Sequence, residues 1–142
     1  VVDGNTWLEE YGVFARKAHA DGVGVPHARR ILGDAGERFA ERALTELGWR
    51  IVARNPRTRY GEIDLICHDG RGYVFVEVKT RREGSFVPAV EAVGARKVER
   101  LARLAEAWLA LQSQRDASWR LALVALTVGP TGTVTRIIDV VE

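Results

Sequence analysis

Three residues near the middle of the chain could do chemistry together: Asp64, and further on Glu77 and Lys79 with Val78 between them. They lie in the stretch Gly61–Arg82, GEIDLICHDGRGYVFVEVKTRR. Asp69-Gly70-Arg71-Gly72 is a turn signal between two runs of strand character. With those four residues as the loop, His68 pairs with Tyr73. Counting back in antiparallel register sets Asp64 opposite Glu77 and Glu62 opposite Lys79. Directly opposed side chains have Cβ atoms about 4.5–5.5 Å apart. Two carboxylates that close repel unless a cation or a proton sits between them. Hard divalent ions such as Mg²⁺ or Mn²⁺ take oxygen ligands and retain waters. Asp64 and Glu77 would suffice as protein ligands where phosphate oxygens complete the shell. Such an ion polarises a phosphate, acidifies a bound water and stabilises the leaving oxygen. Lys79, one strand step beyond Glu77, could orient the attacking water or neutralise charge building on the phosphate. The pattern suits metal-assisted phosphodiester hydrolysis with no His or Cys centre. Cys67 shares parity with Ile63 and Leu65 and reads as a buried small hydrophobe. His68, beside the turn, reads as a loop residue.

The flanking elements must position this hairpin. Gly33–Leu47 has a helical stripe of Phe39, Ala40, Ala43, Leu44 and Leu47, and Gly48 is a C-terminal stop. Glu37 sits on the flank of that stripe, where a carboxylate could reach past the edge of a sheet or simply complement the helix N-terminus. Trp49–Arg54 is a short strand ended by Asn55-Pro56. After a loop at Glu83–Pro88, a second helix is predicted over 91–112, with Val98, Leu101, Leu104, Ala105, Trp108 and Leu111 as its apolar face. Lys97 borders that face and could point at the hairpin. Trp119–Val128 is nearly continuous apolar strand, as expected of an internal strand covered on both sides. Gly129–Gly132 is a turn, and 133–141 is a closing strand. Mixed sheet with helices packed against it follows from this order. Residues 1–30 form an N-terminal extension, predicted as helix plus loop: Thr6 and Glu9 fit a capping box, and Trp7, Tyr11, Phe14 and Ala18 recur at helical spacing. Residues 31–142 are read as a single domain.

The chain has 142 residues, 46% apolar and 28% charged, an ordinary balance for one globular domain with a real core. No apolar run approaches the roughly 18–20 residues of a membrane span. Acids near the start replace the positive charge of a secretory signal, and a lone Cys67 makes no internal disulfide, so a cytoplasmic setting is expected. Net charge is only +2, but the basic residues gather around the acidic hairpin. Arg57 and Arg59 precede it, Arg81 and Arg82 close it, and Arg96, Lys97 and Arg100 follow. This grouping suggests an anionic partner.

The arrangement Asp64…Glu77-Val78-Lys79 resembles the signature of the restriction-endonuclease-like PD-(D/E)XK superfamily. More narrowly, Leu32–Ala40, GEIDLI at Gly61–Ile66, VFVEVKTR at Val74–Arg81 and Glu91–Lys97 resemble the YraN-like family of uncharacterised bacterial proteins, which are similar in turn to archaeal Holliday-junction resolvases. The likeness covers about residues 31–128. It implies an α/β fold, a restriction-endonuclease-like mixed β-sheet flanked by α-helices, with divalent metal and nucleic acid as substrate. It carries the metal role to Asp64 and Glu77 and the catalytic-lysine role to Lys79. It also raises Glu37 to an active-site carboxylate and leaves the role of Lys97 open. Cutting two strands symmetrically would call for a two-fold homodimer. Two departures stand out: Ala122 where the family often has aspartate, and Val87 in Ser85-Phe86-Val87 where it usually has glycine.

The expected function is therefore a metal-dependent endonuclease acting on DNA, including branched or repair intermediates. Two other classes fit the same residues less fully. One is a nucleic-acid-binding module that keeps the fold without chemistry. The other is an interaction protein working through the aromatic N-terminal helix.

Overall fold

The computed structural model describes residues 8–10, 13–18, 29–84 and 94–140. In chain order the elements are β1 (Leu8–Glu10), β2 (Val13–Ala18), α1 (Arg29–Glu46), β3 (Arg50–Arg54), β4 (Arg57–Thr58), β5 (Gly61–Glu62), β6 (Leu65–His68), β7 (Tyr73–Arg82), α2 (Ala95–Leu111), β8 (Trp119–Gly129) and β9 (Gly132–Val140). Among the described residues, a seven-stranded sheet runs β1-β2-β9-β8-β7-β6-β3, and β4 and β5 form a separate two-stranded ribbon. Every ladder in the large sheet is antiparallel except β7 with β8. That parallel pair needs a crossover, and α2 supplies it.

The sheet separates two apolar layers because side chains alternate across it. On one side Val74, Val76 and Val78 of β7 meet Ala40 and Leu44 of α1 together with Val124 and Leu126 of β8. On the other side Phe75 meets Leu101, Leu104, Ala105 and Trp108 of α2. The ring of Trp108 takes Tyr73 and Phe75 edge-on at 5.7 and 5.9 Å, a favoured geometry for aromatic pairs. β8 is buried continuously from Leu121 to Leu126, as its unbroken apolar run predicts. The mixed sheet flanked by helices is thus the architecture expected.

The ends of the chain's elements differ from expectation in two places. The N-terminal helix predicted within 1–30 is not formed: Leu8–Glu10 and Val13–Ala18 are strands, and β2 pairs with β9 from Val13↔Ile138 to Ala18↔Thr133. Without β2, β9 would present an unpaired edge. A continuous ladder along that edge outweighs a four-residue helical periodicity interrupted by Gly12, a poor helix former. The proposed cap at Thr6, the Trp7 and Tyr11 positions and the loop at Asp21–Pro26 lie outside the described residues. The second helix begins at Ala95, not at residue 91, behind Gly94 in extended conformation at φ −84° and ψ 169°. Phe86 and Val87 also lie outside the described residues. Among the described residues no helix is long and apolar enough to cross a membrane.

Candidate active site

The turn geometry expected for the hairpin is correct where it matters and stops short of the acids. His68 pairs with Tyr73 and Leu65 with Val76. The ladder then ends, and Asp64 sits at a bend between β5 and β6. Its backbone carbonyl accepts the Asn55 N–H at 2.8 Å. Its carboxylate turns to the next free donor, and Val78 N–H donates to Asp64 Oδ2 at 2.7 Å. The alternation of faces breaks at this bend. Ile63 lies with Phe75 under α2, whereas Leu65 and Cys67 lie under α1. Asp64 is thereby released from either core.

Glu62 is not opposite Lys79. It pairs with Arg57 across the β4–β5 ribbon, with Arg57 Nη2 3.4 Å from Glu62 Oε2. The ribbon itself is fixed by Gly61, at φ +111°, whose Hα side faces Arg100; a Cβ there would lie 2.5 Å from Arg100 Nη1. Arg100 Nη1 donates to the Tyr60 carbonyl at 3.0 Å, tying α2 to the ribbon.

Glu77 and Lys79 lie on the α2 side of β7, because they share parity with Phe75. Glu77 is 8% exposed, the one buried charged residue among the described residues. Its counter-charge comes from α2: Lys97 Nζ stands 2.8 Å from Glu77 Oε2. A buried carboxylate without such a partner is costly. Lys79 is half-buried, and its pKa falls below the ordinary lysine value. Burial is the largest cause, followed by the hydrogen-bonding contact and charge of Lys97, against the opposing pull of Glu77 and Asp64. Glu37 enters from α1 as a further acidic neighbour of Asp64.

Two carboxylates, from the β5–β6 bend and β7, therefore neighbour two ammonium groups, from β7 and α2, with the α1 carboxylate of Glu37 beside Asp64. The most perturbed acid is Asp64, pushed up to about 7. Burial is the main cause, then the charge of Glu77, with Glu37 adding to both; the Val78 N–H pulls the other way. A buried acid whose ionisation is further opposed by neighbouring acids is an arrangement that a bound cation would relieve. The donor set is all oxygen, which suits a hard divalent ion. Among the described residues no three His, Cys, Asp or Glu side chains form a ready cage. The fit is that of a two-carboxylate site open to further oxygen ligands.

Sequence reasoning missed what lets Glu37 approach. Gly36 packs on β7 so closely that a Cβ would lie 2.0 Å from Thr80 Oγ1. Gly36-Glu37 was visible as a pair, but only the helix-on-strand contact explains the glycine. Position 122 faces away from the acids: Ala122 stands opposite Val76 and is buried in the apolar cluster under α1. Among the arginines, Arg57, Arg59, Arg82 and Arg96 are exposed. Arg59 lies over the Tyr60 ring at 4.9 Å and donates to its hydroxyl at 2.7 Å. Arg81 is half-buried and donates to the Thr80 carbonyl. Lys97 belongs to the carboxylate cluster and not with these outer arginines. His68 and Cys67 take no part. Gly70 N–H donates to His68 Nδ1 at 3.1 Å, and burial drives the Cys67 thiol up to about 12.

Comparison with known proteins agrees with the resemblance read from the motifs. The model of Uncharacterised protein family UPF0102 matches residues 36–141. A UPF0102 protein of Symbiobacterium thermophilum is 50% identical over 103 residues, 72% of this chain and 87% of that protein. One from Mycolicibacterium vanbaalenii is 46% identical over 102 residues, covering 72% and 84%. Among solved structures, the chain is similar to Hjc, a Holliday junction resolvase of Archaeoglobus fulgidus, at 23% identity and TM-score 0.40, covering 75% of this chain and 88% of that one. It is also similar to SfsA of Pyrococcus furiosus, solved in complex with Ca²⁺, at 21% identity and TM-score 0.38, covering 94% and 67%.

Proposed function

This chain belongs to Uncharacterised protein family UPF0102, and we propose that it is a divalent-metal-dependent endonuclease that hydrolyses phosphodiester bonds in DNA. The observation that carries the reading is the convergence of Asp64 and Glu77 on the lysine pair Lys79 and Lys97, with Glu37 beside Asp64. With all three acids ionised, the cluster holds one net negative charge. A divalent cation would turn that to one net positive charge, matched to a phosphodiester.

Asp64 and Glu77 would hold Mg²⁺ or Mn²⁺. When bound, the ion supplies Lewis acidity toward phosphate and a more acidic water. Lys79, half-buried and with its pKa lowered, stands beside the acids where it can hold a water or the non-bridging phosphate oxygen. Glu37, next to Asp64, would add a third carboxylate to the site. Val78 N–H fixes the orientation of the Asp64 carboxylate. Exposed Arg57, Arg59, Arg82 and Arg96 would hold the phosphate backbone on either side, a contact that weakens as salt rises. Arg81 and Arg100 are turned to backbone carbonyls and serve the scaffold first.

The test is cleavage of labelled single-stranded, duplex and four-way-junction DNA, and of RNA, with Mg²⁺ or Mn²⁺. Metal-dependent products that disappear in Asp64→Ala and Lys79→Ala support the proposal. Folded protein that cuts none of these substrates with either ion overturns it. Salt-dependent binding without cutting, unchanged in Asp64→Ala, would assign the chain to a non-catalytic binding module.

A further inference from the structure

Lys97 is placed where it has to matter for metal loading. Its ammonium lies 2.8 Å from Glu77 Oε2, and Glu77 is one of the two carboxylates that would hold the ion. The Lys97 side chain is 26% exposed and that of Glu77 is 11% exposed, so the pair is partly shielded from water. Charges in such surroundings interact more strongly than on the open surface. Lys97 also comes from an element that carries no other positive charge into the cluster. Arg96 is exposed, Arg100 is bonded to the Tyr60 carbonyl, and Arg103 pairs with Glu99 at 3.1 Å.

We infer that Lys97 is a built-in counter-ion that competes with the divalent cation for Glu77, keeping the carboxylate neutralised in the metal-free protein and weakening metal binding until an anionic substrate arrives. This rests on the metal-binding reading of Asp64 and Glu77. Without Lys97, Glu77 would be a buried carboxylate beside Asp64 with only Lys79 to balance both, an arrangement that strains the empty site. With Lys97 in place, a divalent ion must either share Glu77 or displace the ammonium. A phosphate delivered to the site offers that ammonium an alternative partner. Metal and substrate then bind better together than either does alone, by linkage.

The experiment is a titration of Mn²⁺, following the free ion by its electron paramagnetic resonance signal, with the full chain. Lys97→Met removes the charge and keeps the length. Lys97→Gln keeps a hydrogen-bond donor and serves if the methionine variant does not fold. Arg103→Gln is the control on the same helix. The inference predicts that either Lys97 variant binds Mn²⁺ at least about fivefold more tightly than wild type, while Arg103→Gln does not change. It also predicts that Glu77→Gln in the Lys97 background cancels the gain. A short non-cleavable phosphorothioate oligonucleotide should tighten Mn²⁺ binding to wild type more than to the Lys97 variants. Equal or weaker Mn²⁺ binding by the Lys97 variants would overturn the inference and leave the metal site standing. Folded wild type and variants that all fail to bind Mn²⁺ would overturn the metal reading itself, and the inference with it.

Discussion

Two aspartates close the two ends of strand β6, and they are opposites. Asp69, in the turn, is held at about 2. Burial works against its ionisation, but Arg120 and the backbone N–H groups of Arg71 and Gly72 outweigh it. Its Oδ1 accepts those two N–H groups at 2.8 and 3.0 Å, and its Oδ2 meets Arg120. Arg120 goes on to Asp139 Oδ1 at 3.1 Å and lies over the Trp49 ring at 5.2 Å. That network is closed: each charge has its partner, and the partners join the β6–β7 turn to β8, β9 and the residue before β3. Asp64, at the other end, is pushed up to about 7, first by burial and then by the acids Glu77 and Glu37 beside it. The same residue type on the same strand stabilises the fold at one end and leaves unsettled charge at the other. Unsettled charge in a shielded place is what a functional site would leave, and settled charge is what scaffold requires.

The largest way to break this comparison is chemical. Asp64→Ala and Lys79→Ala should each reduce metal-dependent cleavage by about 100-fold or more, with circular dichroism unchanged. Asp69→Ala should leave the rate per folded molecule near wild type. Equal losses in both aspartate variants would mean that the two ends are not different in kind. Next in size is stability. Arg120→Ala leaves Asp69 and Asp139 without their shared partner, so denaturant unfolding should show a loss of roughly 1–3 kcal/mol.

The pH dependence sharpens the contrast, because the signs are opposite. Asp64 has a folded pKa above its unfolded value of about 3.9, so ionising it costs stability. Asp64→Asn should therefore match wild type below about pH 4 and gain on it steadily as pH rises through about 7. Asp69 has a folded pKa below its unfolded value, so its ionised form stabilises. Asp69→Asn should be less stable than wild type above about pH 4, with the gap closing as pH falls through about 2. Urea unfolding across pH checks both; parallel curves for the two variants would remove the distinction. A subtler effect is expected at Gly36. Gly36→Ala should push α1 off β7 and lower cleavage about tenfold, on the scale of other small misplacements of catalytic groups. Adding Thr80→Ala to clear Thr80 Oγ1 should recover part of the loss. The smallest change is at the exposed ion pair of Arg57 with Glu62, where Arg57→Ala should cost under about 1 kcal/mol of stability while weakening DNA binding at low salt.

The site was legible in the chain because acids at strand positions are costly and so stand out. Asp64, Glu77 and Lys79 come together as their spacing implies, and the His68–Tyr73 register needed only a turn signal. The contact that unites them was not legible. Counting residues predicted a cross-strand pair of carboxylates, whereas the ladder ends at Leu65 and Asp64 is captured by a backbone donor. Backbone capture at a bend has no side-chain code. The Glu62 pairing failed for the same reason, since the two-residue ribbon β4–β5 leaves no period to read. Glu37 could be placed on a helix flank but not at a partner, because its position depends on how close Gly36 lets α1 come. At the N-terminus, aromatic spacing suggested a helix, and the demand of an open sheet edge won.

The one parallel ladder has a kinetic consequence. β6 and β7 can zip up around their turn early, since their partners are near in sequence. β8 can join β7 only after the chain from Arg82 to Trp119 has closed over the sheet, carrying α2 and Lys97 with it. Loop closure of that length slows folding. On contact order alone, the hairpin that carries Glu77 would be assembled before Lys97 arrives from α2, so the crossover helix would be the late step that makes the buried acid tolerable.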